Sequence, residues 1–227
     1  MRKLLSALFI VMLAATTGFA KENLSTIKGT WHRKRLDKIK LFKVNDGRLH
    51  EIASSKLNEN GKFFFAFEPA KEDFYVIALD ELRFTNSYAF YFKPGDHLSL
   101  TVNDTTYTLT GKNTKENIEL TRWHDFIYPM ESLTYYFAGK NATYVEYFPI
   151  LKEKEDAFQV RNTGNKTFDE KFKSFRELDF MRNTTNFIFT PRIQHPKKED
   201  FPSYYQKIDI SNITSGSDLL EFPYGIQ

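Results

Sequence analysis

The sequence predicts an α+β fold: an N-terminal antiparallel β-sandwich followed by a helical segment that packs beside it. Three observations predict it. Between Ile27 and Thr110, short apolar runs alternate at period two and are separated by turn pairs. After Gly111 the apolar residues recur at spacings of three and four instead. The chain of 227 residues is 41% hydrophobic and carries 23 Phe and 12 Tyr, so its core must be largely aromatic.

The strands come first. Lys38 to Val44 alternates Lys38 and Lys40 with Ile39 and Leu41. Lys62 to Phe67 is an aromatic strand, too apolar to face water on both sides. Phe74 to Leu79 and Tyr88 to Phe92 follow. From His97 to Asn103, Leu98, Leu100 and Val102 point one way and the polar residues the other. Thr106 to Thr110 closes the series. Asp46-Gly47, Asn60-Gly61, Pro94-Gly95 and Asp104-Thr105 mark the turns, and Asn-Gly and Asp-Gly tolerate the positive φ of tight hairpins. About seven short strands at regular spacing suit a small sandwich over 25–111.

The helical segment spans 112–190. Asn113 reads as an N-cap, with Glu116 three residues on completing a capping box. Leu120, Trp123, Ile127 and Met130 share a face, and Pro129 should kink or end that helix. A second helix is expected over about 143–159, with Lys152 to Asp156 as a solvated charged face. Thr167 and Glu170 suggest a third start, followed by an apolar stripe of Phe168, Phe172, Phe175, Leu178 and Met181. The pattern weakens over 191–227, an irregular tail broken by Pro191, Pro196, Pro202 and Pro223. Its Tyr204, Tyr205, Leu219, Leu220 and Phe222 are expected to dock, and its end reads as a fold cut short.

Residues 1–20 read as a signal peptide. Arg2 and Lys3 form a basic start, Leu4 to Ala15 an apolar stretch too short for a comfortable span, and Gly18-Phe19-Ala20 a small-residue cut site. A periplasmic or cell-surface chain beginning near Lys21, with no stable membrane span, is the expectation. Removing Arg2 and Lys3 takes the formal charge from +3 to +1, too small a field to recruit nucleic acid. The basic run His32 to Arg35 reads as a solvated loop. The six Asn-x-Ser/Thr triplets, beginning at Asn23, read as chance in an Asn- and Thr-rich chain.

Few residues suggest chemistry. The five histidines show neither an H-E-x-x-H pattern nor a close His-x-His spacing, and no P-loop, G-x-G-x-x-G or G-x-S-x-G motif occurs, so no metal or cofactor is expected. Cysteine is absent, and thiol–disulfide exchange needs a thiolate. Lys93-Pro94-Gly95-Asp96-His97 reads as a hairpin turn: Pro94 sets φ, Gly95 takes a positive φ, and Asp96 bonds the local backbone. A catalytic Asp96–His97 pair is the sharper alternative, but strand neighbours point to opposite faces. No catalytic residue is assigned.

The order of "STIKGTW", "KIKLFKV", "NENGKFFFAF", "FYFKPGDHLSLTV" and "YTLTGKNTKENIEL" resembles a known family. It is similar to the N-terminal domain, of unassigned function, that precedes the thioredoxin-like domain in TlpA-like thiol–disulfide proteins of Bacteroidota. Phe92, Pro94, Gly95, Asp96 and Leu98 match its F-x-P-G-D-x-L turn, a structural mark, and Leu109, Gly111 and Asn117 match its closing mark. The likeness covers about 25–190 and implies an extracytoplasmic location. The family's catalytic Cys-x-x-Cys lies in the later domain, which this sequence lacks. The resemblance therefore implies a non-catalytic interaction or positioning module, whose partner is a protein or an absent C-terminal thioredoxin-like domain. Exposed strand edges, or an aromatic groove between sheet and helices, would make the contact. A stand-alone ligand- or glycan-binding protein, with Trp31, Trp123 or Tyr rings as stacking platforms, is the alternative, and a hydrolase a further one.

Overall fold

The computed structural model describes residues 23–32, 36–80, 87–103, 105–134, 141–192, 194–208 and 217–223. The expected signal peptide, most of the His32 to Arg35 run, Asp104 and parts of the tail lie outside the described residues. The chain divides into two compact units: residues 1–43 with 49–114, and residues 44–48 with 115–227.

Among the described residues the N-terminal part carries eight strands, nearly all within the first unit: β1 (Ser25–Trp31), β2 (Lys38–Asn45), β3 (Arg48–Lys56), β4 (Lys62–Phe67), β5 (Asp73–Ala78), β6 (Tyr88–Phe92), β7 (His97–Val102) and β8 (Tyr107–Leu109). They form two four-stranded sheets, ordered β4-β1-β7-β8 and β3-β2-β5-β6. Inward residues of both sheets meet in one cluster that includes Ile27, Leu41, Phe65, Ile77, Phe90 and Leu100. Rings join the two layers: Trp31 lies 5.9 Å from Tyr88, Phe90 5.0 Å from Tyr107, and Phe67 5.1 Å from Phe92. The α+β class with N-terminal strands is therefore what the structure has.

Several details depart from expectation. β1 runs parallel to β7, with Ile27 opposite Leu98, so one central pairing is not antiparallel. β3 is a strand that the sequence pattern leaves undelimited, because most of its residues are exposed and no clean alternation marks it. β4 follows expectation: Phe63 and Phe65 turn inward while Phe64 is 57% exposed, so the strand faces water on one side only. The Pro94-Gly95 turn joins β6 in one sheet to β7 in the other, and is an arch between layers rather than a hairpin. Asn60-Gly61 likewise lies between β3 and β4, which belong to different sheets. Its backbone is tied by the Asn58 side chain, which accepts from the Asn60 and Lys62 N–H groups at 3.0 and 2.9 Å. Asp46-Gly47 is a true hairpin turn, with φ of 50° and 68°.

The second unit is helical: α1 (Lys115–Thr134), α2 (Tyr144–Lys154), α3 (Lys166–Phe189) and the single turn α4 (Tyr204–Lys207). The shared face of α1 is buried as its spacing predicts, but the helix continues through Pro129 to Thr134. Asn113 is not its cap. The helix begins at Lys115, and the Asn113 amide instead accepts from Ser99 N–H at 2.9 Å and donates to Thr110 O at 3.0 Å. α2 is shorter than expected, with Glu146 accepting from the Thr143 N–H and hydroxyl at 2.6 and 2.9 Å. α3 is capped by Asn165, which accepts from Phe168 N–H, rather than by Thr167. Among the described residues no helix is long and apolar enough to cross a membrane.

Of the tail anchors, Phe222 is buried near Phe175 and Tyr204 packs 5.1 Å from Phe180, but Leu220 is 41% exposed. Its carbonyl instead accepts from Gly47 N–H at 2.7 Å.

Gly29 explains how the β4-β1-β7 sheet closes. A Cβ there would stand 2.6 Å from Leu100 O and 2.7 Å from the Phe63 ring. Gly29→Ala is expected to destabilise the sandwich by about 1–3 kcal/mol through overpacking. Thermal unfolding checks it, and an unchanged Tm would contradict the close approach.

Candidate functional site

The polar centre of the helical unit is Asp179 on α3, which is 5% exposed. Trp123 on α1 donates its indole N–H to Oδ2 at 2.8 Å. Arg182 donates from Nη2 and Nε to Oδ1 at 2.7 and 3.2 Å. Asn183 donates to the Asp179 carbonyl at 3.0 Å. The residues at 168, 172, 175, 179 and 182 follow spacings of four and three, so the apolar stripe of α3 continues directly into this ion pair. Leu178 and Met181, expected on that stripe, are only half-buried.

Two further groups respond to this centre. Burial pushes the Glu131 carboxyl up to about 7, with Arg182, 3.7 Å away, pulling it down and Asp179 pushing it up. Burial holds His124 down at about 4, against the pull of Asp179, so its imidazole is neutral at pH 7.

A second buried acid, Glu119, accepts from Arg122 Nη1 at 2.6 and 2.8 Å and from Arg161 N–H at 2.9 Å. At the other end of the unit Arg192 lies 3.8 Å from the centre of the Phe187 ring, which stacks on Tyr147 at 3.8 Å. The same guanidinium donates to Thr134 O at 2.8 Å and to Phe187 O at 3.2 Å, serving the carbonyl ends of α1 and α3. These cations and acids are fully engaged in holding helices.

Arg176 is different. Its guanidinium lies 5.7, 5.5 and 5.3 Å from the rings of Trp123, Phe158 and Phe172. Nε is enclosed and has no hydrogen-bond partner. The two Nη groups stay accessible, and they too make no hydrogen bond or ion pair among the described residues. Burial pulls its pKa below the ordinary arginine value, while Glu177 and Glu119 act in the opposite direction.

This side chain lines an open groove of about 750 Å³ within the helical unit, alongside Trp123, Phe158, Phe180, Tyr204 and Phe222. The groove's other cations are Lys154, Lys173 and Lys207, and its acids are Glu155, Asp156 and Glu177. Lys207 pairs with Glu155 at 2.6 Å, and Lys154 lies 4.6 Å from the Phe126 ring centre, so the expected solvated face is partly engaged. Among the described residues the groove is lined by helices and tail, not by sheet and helices together.

The turn matched to the family lies in the other unit. Phe92 and Leu98 are fully buried in the sandwich. Gly95 has φ of 84°. Asp96 accepts from Lys93 N–H at 2.8 Å, and its own N–H donates to Lys93 O at 3.1 Å. His97 Nδ1 meets the Thr26 hydroxyl at 2.8 Å, so Asp96 and His97 have separate partners. Among the described residues no group of three or more His, Cys, Asp or Glu is placed to hold a metal.

No family model matches the chain, and no curated protein matches it.

The two displaced pKa values give opposite pH slopes. Glu131 titrates near 4.5 unfolded and near 7 folded, so it lowers stability as pH rises through that window. His124 titrates near 6.5 unfolded and near 4 folded, so its contribution is lost as pH falls through that window. Where the two windows overlap, these two contributions to the wild-type stability should largely cancel. Glu131→Gln should gain stability relative to wild type between pH 5 and 8, and His124→Gln should gain it between pH 6.5 and 4, each on the order of 1 kcal/mol. Tm against pH for the three proteins checks this, and parallel curves would contradict it.

Proposed function

We propose that this chain is a non-catalytic, extracytoplasmic binding module. The observation that carries the reading is the groove over Arg176. Its guanidinium is held by three rings, and its accessible Nη donors are unused, while the other buried charges nearby are occupied in tying helices together. Such a site offers a ligand a polar anchor on an aromatic floor, which is what small-molecule and cofactor sites share. Nothing in it resembles a nucleophile with an adjacent base.

The signal-peptide pattern read in residues 1–20 supports an extracytoplasmic setting. The resemblance to domains that precede a thioredoxin-like domain supports a positioning role: in such a protein the module would hold the redox domain or bind its client. These 227 residues contain no thiol with which to perform the exchange themselves. A stand-alone ligand-binding protein uses the same groove. Sugar stacking is disfavoured, because Trp31 and Trp123 are 1% and 4% exposed and offer little ring face.

Expression of the full sequence in a Gram-negative host tests the setting. The chain should appear in the periplasmic fraction with an N-terminus near Lys21, and retention of Met1 in the cytoplasm would contradict it. Asp96→Ala tests the absence of chemistry at the family turn. It should cost about 1–2 kcal/mol of stability, seen as a lower Tm, through loss of the bond to Lys93 N–H, and leave binding in the groove unchanged.

A further inference from the structure

The groove identifies the chemistry of its ligand. Arg176 presents a planar fork of N–H donors, and its guanidinium carbon lies 5.7, 5.5 and 5.3 Å from the rings of Trp123, Phe158 and Phe172, which restrict its placement. A guanidinium fixed in this way pairs best with a flat two-oxygen anion, which accepts two parallel hydrogen bonds. Lys173, one helical turn earlier on α3, lines the same groove and makes no ion pair among the described residues. The acids facing the site do not replace a ligand. Glu155 is held by Lys207 at 2.6 Å, and Asp156 acts through space on Lys207 and Tyr204. Glu177 acts on Arg176 only through space.

The remaining lining decides what lies behind the anion. Phe158, Phe180, Tyr204 and Phe222 offer rings, and a volume of about 750 Å³ falls within the range of small-molecule sites. A bare inorganic anion would leave these rings against water. An aromatic or acyl body attached to the carboxylate would cover them and gain their burial.

We propose that the groove binds a small monocarboxylate with an aromatic or acyl body, its carboxylate on the Nη groups of Arg176 and its apolar end on the Phe180–Tyr204–Phe222 side. This rests on the binding-module reading and names its ligand class.

Isothermal titration calorimetry of the purified chain with phenylacetate tests it, with phenylacetamide and inorganic phosphate as comparisons. Phenylacetate should bind at least tenfold more tightly than either. Arg176→Met keeps an apolar stem and removes the fork, and it should weaken phenylacetate at least tenfold while circular dichroism is unchanged. Should that variant not fold, the Arg176 Nε–H and Nη–H resonances of the wild-type chain carry the test. They should move on adding phenylacetate and stay in place with phenylacetamide. Equal affinity for the amide, tighter binding of phosphate, full affinity in Arg176→Met, or unmoved arginine resonances would each overturn the inference. A chain that is exported and processed yet ignores phenylacetate overturns this inference alone. A chain retained in the cytoplasm overturns the extracytoplasmic reading without touching it.

Discussion

The helical unit depends on one buried carboxylate. Asp179 sits where the apolar stripe of α3 would otherwise continue, and an ionised group there is costly unless its oxygens are occupied. The Trp123 indole takes one oxygen, and Arg182 takes the other. The first bond ties α1 to α3 and fixes the Trp123 ring. That ring is one of the three against which Arg176 lies. The order of dependence is therefore a buried acid, then an oriented indole, then a cation held against that ring in the lining of the groove. Removing Asp179 would leave Arg182 buried beside Glu131 and free the indole at the same time.

The sandwich is held differently. Its interior contains few polar side chains and many rings, so its specificity comes from shape. Gly29 lets β4 and β7 approach β1, and edge-on pairs such as Phe90 with Tyr107 fill the space between layers. The Lys93 to Asp96 arch has to carry the chain from one sheet to the other. Asp96 closes it locally through Lys93 N–H, while its carbonyl receives Thr26 N–H from β1 at 3.0 Å. The turn is thus tied to the parallel β1–β7 pair.

Much of this was legible. Period-two alternation placed β2 and β7, and the three-and-four spacing placed the buried faces of α1 and α3. Sheet membership was not legible, because Pro94 and Gly95 specify a reversal of the chain without specifying whether its flanking strands pair. The parallel β1–β7 pair joins Ile27 to Leu98, a separation no local pattern encodes. β3 escaped because an edge strand with most residues exposed need not alternate cleanly. The polar core was missed for a sharper reason: charged and amide side chains such as Asp179, Arg182 and Asn183 are ordinarily exposed, so nothing singled them out. The signal was present, since 175, 179 and 182 keep the spacing of the Phe stripe, and since a Trp in the α1 face needs a partner for its N–H. Arg176 offered no comparable signal, because its three rings come from α1, α3 and the segment after α2.

A double-mutant cycle between Trp123→Phe and Asp179→Asn tests the central dependence most directly. Each single variant also disturbs Arg182 or the ring packing, and the cycle removes those terms from the pairwise coupling. Chemical denaturation of the four proteins should give a coupling of about 1–2 kcal/mol, as for a hydrogen bond to a buried charge. Additivity within about 0.5 kcal/mol would show that Asp179 does not hold Trp123, and that the cage around Arg176 is set by packing alone.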